Sequence, residues 1–235
     1  MSKIIKLAEK FYQKGYKSFG INYQRRYPNE ELCRFMGRNF FPIKKNKRKK
    51  IKILETGCGS GGNLWMISQE GFSTYGIDIS NQSIKIAKKL FKEKKIKGFF
   101  KIGNFVEMPY ESDFFDSVCD VFSSCCLDKI SGENYIIEVN RILKKSGKFF
   151  SYFPSKKSNM FNHNSRVMHD RDTLISLKKK SAYKVDHPLR FMKMSQYSSL
   201  LEKNGFSVDY KEELMRTYFT GKDKFYFLIV EAKKL

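Results

Sequence analysis

The sequence predicts an α/β fold built on a doubly wound, mainly parallel sheet, and three observations carry that expectation. From residue 51 onward, short apolar runs of strand length alternate with segments of helical apolar spacing. A glycine-rich turn at 57–62 separates the first strand-like run from the first helix-like one. The length, 235 residues, suits one such domain with appendages, and 41% hydrophobic with 15% aromatic residues supplies a core, which excludes a disordered chain.

The elements follow in order. Ile4, Ile5, Leu7, Ala8, Phe11 and Tyr12 recur with a helical period, so the basic N-terminus reads as an amphipathic helix and not as a secretory leader. Asn29 followed by Glu30 and Glu31 marks a second helix start. Residues 1–50 are therefore expected to form a helical cap, ending in a solvated lysine run over 44–50. Within 51–235, strands are expected at 51–56, 73–78, 99–102, 115–122 and 148–153, with helices at 63–69, 80–94 and 135–143 between them. A polar insertion, 155–190, precedes a helix near 196–203 and two closing strands at 206–210 and 224–230. No helix signal separates those two strands, so they are expected to pair antiparallel at the sheet edge.

The formal charge of +22 is unevenly spread: +12 over 1–50, +2 over 51–154, +6 over 155–190 and +2 over 191–235. Cationic segments attract nucleic acid, anionic lipid or phosphorylated small molecules. Lys outnumbers Arg 36 to 10, however, a bias that AT-rich codons alone would produce, and Arg is the better phosphate fork. The longest apolar run, Phe225 to Val230, is far short of the roughly 20 residues of a membrane span, so no membrane partner is expected. Five cysteines without a CxxC pair fit reduced thiols in a cytoplasmic protein.

The most informative segment is Glu55-Thr56-Gly57-Cys58-Gly59-Ser60-Gly61-Gly62-Asn63. Glycines there let the backbone turn sharply and approach a ligand, and Asp78 ends the next strand, where a carboxylate can accept both hydroxyls of a ribose. Gly57, Gly59 and Gly62 satisfy the dinucleotide pattern G-x-G-x-x-G. Glu55, Gly57, Gly59 and Gly61 also satisfy E/D-x-G-x-G-x-G, and an acid two residues before the first glycine is unusual among dinucleotide binders. Downstream, Gly103-Asn104-Phe105, Met108-Pro109-Tyr110 and Phe115-Asp116-Ser117-Val118 continue the second pattern, as does Glu138 through Gly147. Over 51–154 closely, and over the last 40 residues more loosely, the chain resembles the small-molecule branch of the class I S-adenosylmethionine-dependent methyltransferases.

That resemblance implies a Rossmann-like seven-stranded sheet with an antiparallel last strand, and S-adenosyl-L-methionine as cofactor. It implies that Gly57, Cys58, Gly59, Gly61 and Asn63 surround the methionine part, while Glu55 receives its ammonium group. Asp78 would hold the ribose, Ile79 one adenine face, Asn104 the adenine amine and Phe105 the ring edge. The family usually has Asp where Asn104 stands; Asn still offers a carbonyl acceptor.

Acceptor specificity is expected in the two cationic segments, since ligands of open α/β sheets bind at the carboxyl ends of the strands. Tyr23, Arg25, Arg26 and Tyr27 offer aromatic walls and guanidinium forks from the cap. The three histidines, His163, His169 and His187, all fall in the insertion. His163 and His169 are candidate catalytic residues and His187 a candidate substrate contact. His163 and His169 with Asp170 and Asp172 could instead hold a divalent metal, although the spacing fits no standard site, and no metal is expected. Asp120-Val121-Phe122-Ser123 departs from the proline-rich element of exocyclic-amine nucleic-acid enzymes. The expected activity is methyl transfer to oxygen or nitrogen of a small, anionic metabolite, by a monomer or homodimer. The rival readings are an RNA methyltransferase gripping phosphates with the basic segments, and a non-catalytic cofactor-binding regulatory subunit.

Overall fold

A computed structural model describes residues 2–177 and 186–235; residues 178–185 of the expected insertion lie outside the described residues. The strands are β1 (Lys52–Thr56), β2 (Ser73–Asp78), β3 (Phe99–Ile102), β4 (Phe115–Val121), β5 (Leu143–Pro154), β6 (Arg166–Met168), β7 (Thr173–Leu177), β8 (Leu189–Arg190), β9 (Phe206–Tyr218) and β10 (Asp223–Lys234). Seven of them form one sheet in the order β3–β2–β1–β4–β5–β10–β9. The first five pair parallel, whereas β10 runs antiparallel to both β5 and β9. The central strand β1 is covered on both faces, with Ile53 and Leu54 fully buried, as a parallel sheet requires.

The helices are α1 (Lys3–Phe19), α2 (Glu30–Asn39), α3 (Lys45–Arg48), α4 (Leu64–Gln69), α5 (Asn81–Glu93), α6 (Lys129–Ile142) and α7 (Met194–Lys203). Side-chain caps define several starts: Asn29 accepts from Leu32 N–H at 3.0 Å, Ser80 from Ser83 at 3.2 Å and Asp128 from Ser131 at 2.8 Å. Each such cap contributes about 1 kcal/mol. The Asp128 cap starts α6 at Lys129, six residues before the apolar period at Tyr135 becomes visible.

Four further expectations differ from the structure, each for a local reason. Leu7 is 39% exposed, because α1 presents Ile4, Ile5 and Ala8 inward instead. The lysine run over 44–50 is not wholly solvated: Arg48 is buried and donates to the carbonyls of Ile43 (2.8 Å) and Glu70 (3.0 Å). It also pairs with the Glu70 carboxylate at 2.5 Å, tying α3 to the end of α4. Strand β5 begins at Leu143, because a register shift opposite Phe115 and Ser117 absorbs the turn at Ser146-Gly147. The insertion carries a small antiparallel sheet, β6–β7–β8, anchored by buried Leu174, Leu189 and Phe191.

The N-terminal helices are fastened to the far end of the chain. Buried Glu231 on β10 accepts from the Arg38 guanidinium and from Asn39 Nδ2 (2.9 Å), both on α2. Removing the half-exposed Arg38 side chain leaves the buried Glu231 carboxylate without its cation. Arg38→Ala is therefore expected to lower unfolding free energy by about 2 kcal/mol, measured by denaturant titration, and Glu231→Gln in the Arg38→Ala background should recover part of that loss.

Candidate active site

The turn between β1 and α4 is held by its neighbour strand. Gly57 and Cys58 N–H both donate to the Ile77 carbonyl, at 2.8 and 3.1 Å, and Gly59 N–H donates to Asp78 Oδ2 at 2.8 Å. Ser80 N–H donates to Asp78 Oδ1 at 2.8 Å, so both carboxylate oxygens are fixed while each keeps a further lone pair. Gly57 and Gly59 have φ of 65° and 52°, the left-handed region that favours glycine. Space forbids a side chain as well: a Cβ at Gly57 would lie 2.3 Å from Ser123 Cβ, and one at Gly59 would lie 2.4 Å from the Tyr16 hydroxyl.

Glu55, at the end of β1, is buried and accepts from Asn63 Nδ2 on one oxygen. Asn63 in turn accepts from the Asn29 backbone N–H at 2.8 Å, so one side chain joins the turn, the carboxyl and the start of α2. The other Glu55 oxygen is buried without a partner, and burial raises the carboxyl to about 8. Burial also raises Asp78, opposed by the N–H donors of Ser80 and Gly59.

These groups line a cavity of about 1020 Å³ including its mouth. Helix α1 forms its roof. Ile5, Ala8, Tyr12 and Tyr16 face the turn, and Gln13 Oε1 accepts from Ser80 Oγ at 2.8 Å. Tyr12 Oη and Cys126 Sγ lie 3.4 Å apart across the end nearest β4, and burial pushes the Tyr12 hydroxyl well above its ordinary range. The same end is walled by Val121, Phe122 and Leu127. Phe122 has φ of 61°, a conformation a bulky residue seldom adopts, and its N–H donates to the Tyr152 carbonyl at 2.9 Å. Beneath it, buried Asp120 accepts from the backbone N–H and hydroxyl groups of both Ser123 and Ser124 and from Ser151 Oγ, which fixes the loop after β4.

Of the residues singled out from sequence, Glu55, Gly57, Cys58, Gly59, Asn63, Asp78, Ile79, Asn104 and Phe105 line this cavity together, and Arg25 lines it as well. Gly61 does not: its Cβ position faces Ala87 and Phe91 of α5, so its absence of side chain serves helix packing. Tyr23 is stacked over Gly15 and packs on Tyr12, Tyr16 and Phe19, buttressing the roof from outside. Arg26 is bonded to Asn22 and gives its carbonyl to Trp65 Nε1 (3.0 Å), while Tyr27 is 75% exposed.

The histidines also divide. His163 Nδ1 engages Ser165 Oγ at 2.7 Å in a separate open pocket, and His169 is exposed; neither lines the cavity. Asp170 accepts from the N–H groups of Asp172 and Thr173, both at 2.8 Å, and Asp172 pairs with Lys156, so local contacts engage both carboxylates. The stretch that follows β5 builds its own pocket from Asn159, Asn162, His163, Asn164 and Ser165. His187 comes nearest: its ring stacks on Phe11 (4.3 Å) and meets Tyr12 edge-on (5.6 Å), behind the roof. Burial lowers it to about 4, so it is neutral at physiological pH.

Tyr12, Tyr16 and Phe122, none of them a site candidate from the sequence, also line the cavity, as does Cys126, which the sequence suggests is a buried structural thiol. The apolar period of α1 was a usable signal for the two tyrosines, but which face it turns to the sheet depends on tertiary packing.

Comparison with known proteins bears on the family and the fold. The methyltransferase domain family matches residues 47–215. The chain is 30% identical over 104 residues to a 24-methylenesterol C-methyltransferase of Arabidopsis thaliana, covering 43% of this chain and 28% of that protein. It is 32% identical over 102 residues to a ubiquinone biosynthesis O-methyltransferase of Pelagibacter ubique, covering 43% and 41%. The chain thus spans well under half the length of either relative. Among solved structures, an S-adenosylmethionine-dependent methyltransferase from Methanosarcina mazei superposes with a TM-score of 0.67 at 21% identity, over 78% of this chain and 92% of that one. The sheet order with its reversed β10, the glycine turn on Asp78 and the match over 47–215 lead to one assignment: the chain belongs to the methyltransferase domain family, among the class I S-adenosylmethionine-dependent methyltransferases.

Proposed function

We propose that this chain transfers the methyl group of S-adenosylmethionine to a small acceptor with an apolar body, seated between α1 and the end of β4. One observation carries the acceptor reading: Ile5, Ala8, Tyr12, Val121, Phe122 and Leu127 make that end of the cavity apolar. Arg25 alone of the described lysines and arginines lines the cavity, and it is exposed. An anionic group on the acceptor, as the charge pattern led one to expect, would therefore sit at the mouth against Arg25 while its apolar part lies inside. The names of the two curated relatives, a sterol and a ubiquinone-pathway methyltransferase, support an acceptor of this kind.

The cavity suits the cofactor. The unpartnered Glu55 oxygen offers an acceptor for an ammonium group, Asp78 keeps lone pairs for ribose hydroxyls, and the backbone of Gly57 and Gly59 lines the cavity between them. When bound, the cofactor supplies an electrophilic methyl group on a sulfonium. The protein's own work is then alignment and exclusion of water. Tyr16 and Gln13 hold the roof on the turn, and Phe122 and Tyr12 wall the acceptor. No His, Asp, Glu or Lys lies on that acceptor wall among the described residues. Tyr12 stays protonated, so it can donate a hydrogen bond to an acceptor but cannot serve as a base near neutral pH. The wall therefore favours an acceptor atom that is nucleophilic without deprotonation by the protein. His163 and His169 have no part in this reading.

Two measurements test it. A carboxyl raised to about 8 is mostly protonated at neutral pH, and a neighbouring ammonium favours its ionised form, so cofactor binding should release a proton below that pH. Calorimetry in buffers of different ionisation enthalpy should show this release for the wild type and its loss in Glu55→Gln. Without ligand the sign is separate: stability should fall as pH rises from the ordinary carboxyl range through about 8, a slope that Glu55→Gln removes. Incubation with methyl-labelled cofactor and fractionated cell extract should place label in the solvent-extractable apolar fraction. Label confined to aqueous anions or RNA would overturn the acceptor reading. Phe122→Ala should raise KM for the labelled acceptor about tenfold or more with little change in cofactor affinity.

A further inference from the structure

Helix α1 has two opposed faces. Ile5, Ala8, Tyr12 and Tyr16 look into the cavity. Lys3, Lys6, Lys10, Lys14 and Lys17 are all exposed, and at about 100° per residue they fall within a stripe roughly 80° wide, centred nearly opposite the cavity face. The stripe runs about 20 Å along the helix at ~1.5 Å per residue. No carboxylate pairs with any of the five among the described residues, and Leu7, 39% exposed, lies directly beside them.

The arrangement opposes the helix's own electrostatics. The first turn holds no acidic residue and opens with Lys3, followed by Lys6, where the helix dipole favours negative charge. The five lysines keep to one line, while Glu9 and Gln13, both half-buried, lie between that line and the cavity face. Exposed cations in a row with an apolar side chain among them match the headgroup layer of an anionic bilayer, which a helix lying in the surface plane can contact along its length. Lysine ammonium groups meet lipid phosphates as point charges, without the forked geometry by which arginine reads nucleic acid. The lack of a membrane-spanning segment bears only on crossing a bilayer, not on lying against one: no described helix is long and apolar enough to cross.

We infer that the lysine face of α1 docks the protein on an anionic membrane surface, with the acceptor cavity directly behind the docking helix. The choice of a bilayer over nucleic acid rests on the apolar acceptor proposed above; the stripe itself does not. Such docking would let an acceptor dissolved in lipid reach the Ile5 and Ala8 side of the cavity over a short path.

The test uses the full chain without cofactor or acceptor, so that its failure leaves the acceptor reading standing. Co-sedimentation is measured with phosphatidylcholine vesicles and with vesicles containing roughly one-third phosphatidylglycerol, each lysine at such a surface being worth about fivefold in partitioning. Binding is expected to the anionic vesicles only, weakening steeply with salt. Lys6→Ala/Lys10→Ala/Lys14→Ala should reduce it at least tenfold at unchanged melting temperature and cofactor affinity, while the corresponding triple Lys→Arg variant should retain it. Equal binding to neutral vesicles, no binding at low salt, or a triple alanine variant that partitions like the wild type would overturn the inference. So would salt-sensitive binding of RNA, lost in the same variant, in the absence of vesicle binding.

Discussion

The backbone turn after β1 and the carboxylate at the end of β2 constrain each other, and the rest of the site is arranged around that contact. Gly59 reaches Asp78 from a positive φ, and Asp78 is oriented by Gly59 and Ser80, which donate to its two oxygens. The turn is pinned a second time by the Ile77 carbonyl, which receives Gly57 and Cys58. Two adjacent parallel strands thus deliver a rigid loop and a fixed acid to the same edge of the sheet, where strand polarity leaves a crevice.

The N-terminal segment meets this crevice directly through Tyr12, Tyr16 and Arg25, and it also holds the turn through its packing. Asn63 connects Glu55 to Asn29, and Tyr16 occupies the space a side chain at Gly59 would need, so the cap and the turn are mutually exclusive with larger residues at either place. Glu55 stays buried with one oxygen unpartnered, a costly state for a carboxyl, and it lowers that cost by holding its proton. A cavity that stores an unpaired acid is prepared for a cation. The same helix that roofs it shows five lysines to the outside, which separates the molecule's large positive charge from its chemistry.

Legibility in the sequence followed locality. Glu55, Gly57, Gly59 and Asp78 were readable because each sits at a strand end whose position is set by a few neighbouring residues. The parallel order of β1 to β5 was readable from alternation, and the closing hairpin from the missing helix between β9 and β10. Tyr12, Tyr16 and Phe122 were not, because their place in the cavity depends on how α1 and the loop after β4 pack in three dimensions. Arg48 illustrates the same limit in a basic run: its charge suggests solvent, yet three carbonyls and Glu70 bury it. His163 and His169 stand outside the cavity. Nearness in sequence to the end of β5 suggested nearness to the site, but the insertion forms its own small sheet and its own pocket.

The central claim is that one cofactor molecule lies in the crevice between the glycine turn and Asp78, beneath α1. The most direct test is a crystal structure of the chain grown with S-adenosylhomocysteine. The expected result is ligand density against Gly57 and Gly59, with the ribose hydroxyls on Asp78 and the amino group on the free oxygen of Glu55. Ligand bound elsewhere on the chain, or bound in the crevice without contact to Asp78 and Glu55, would contradict the claim.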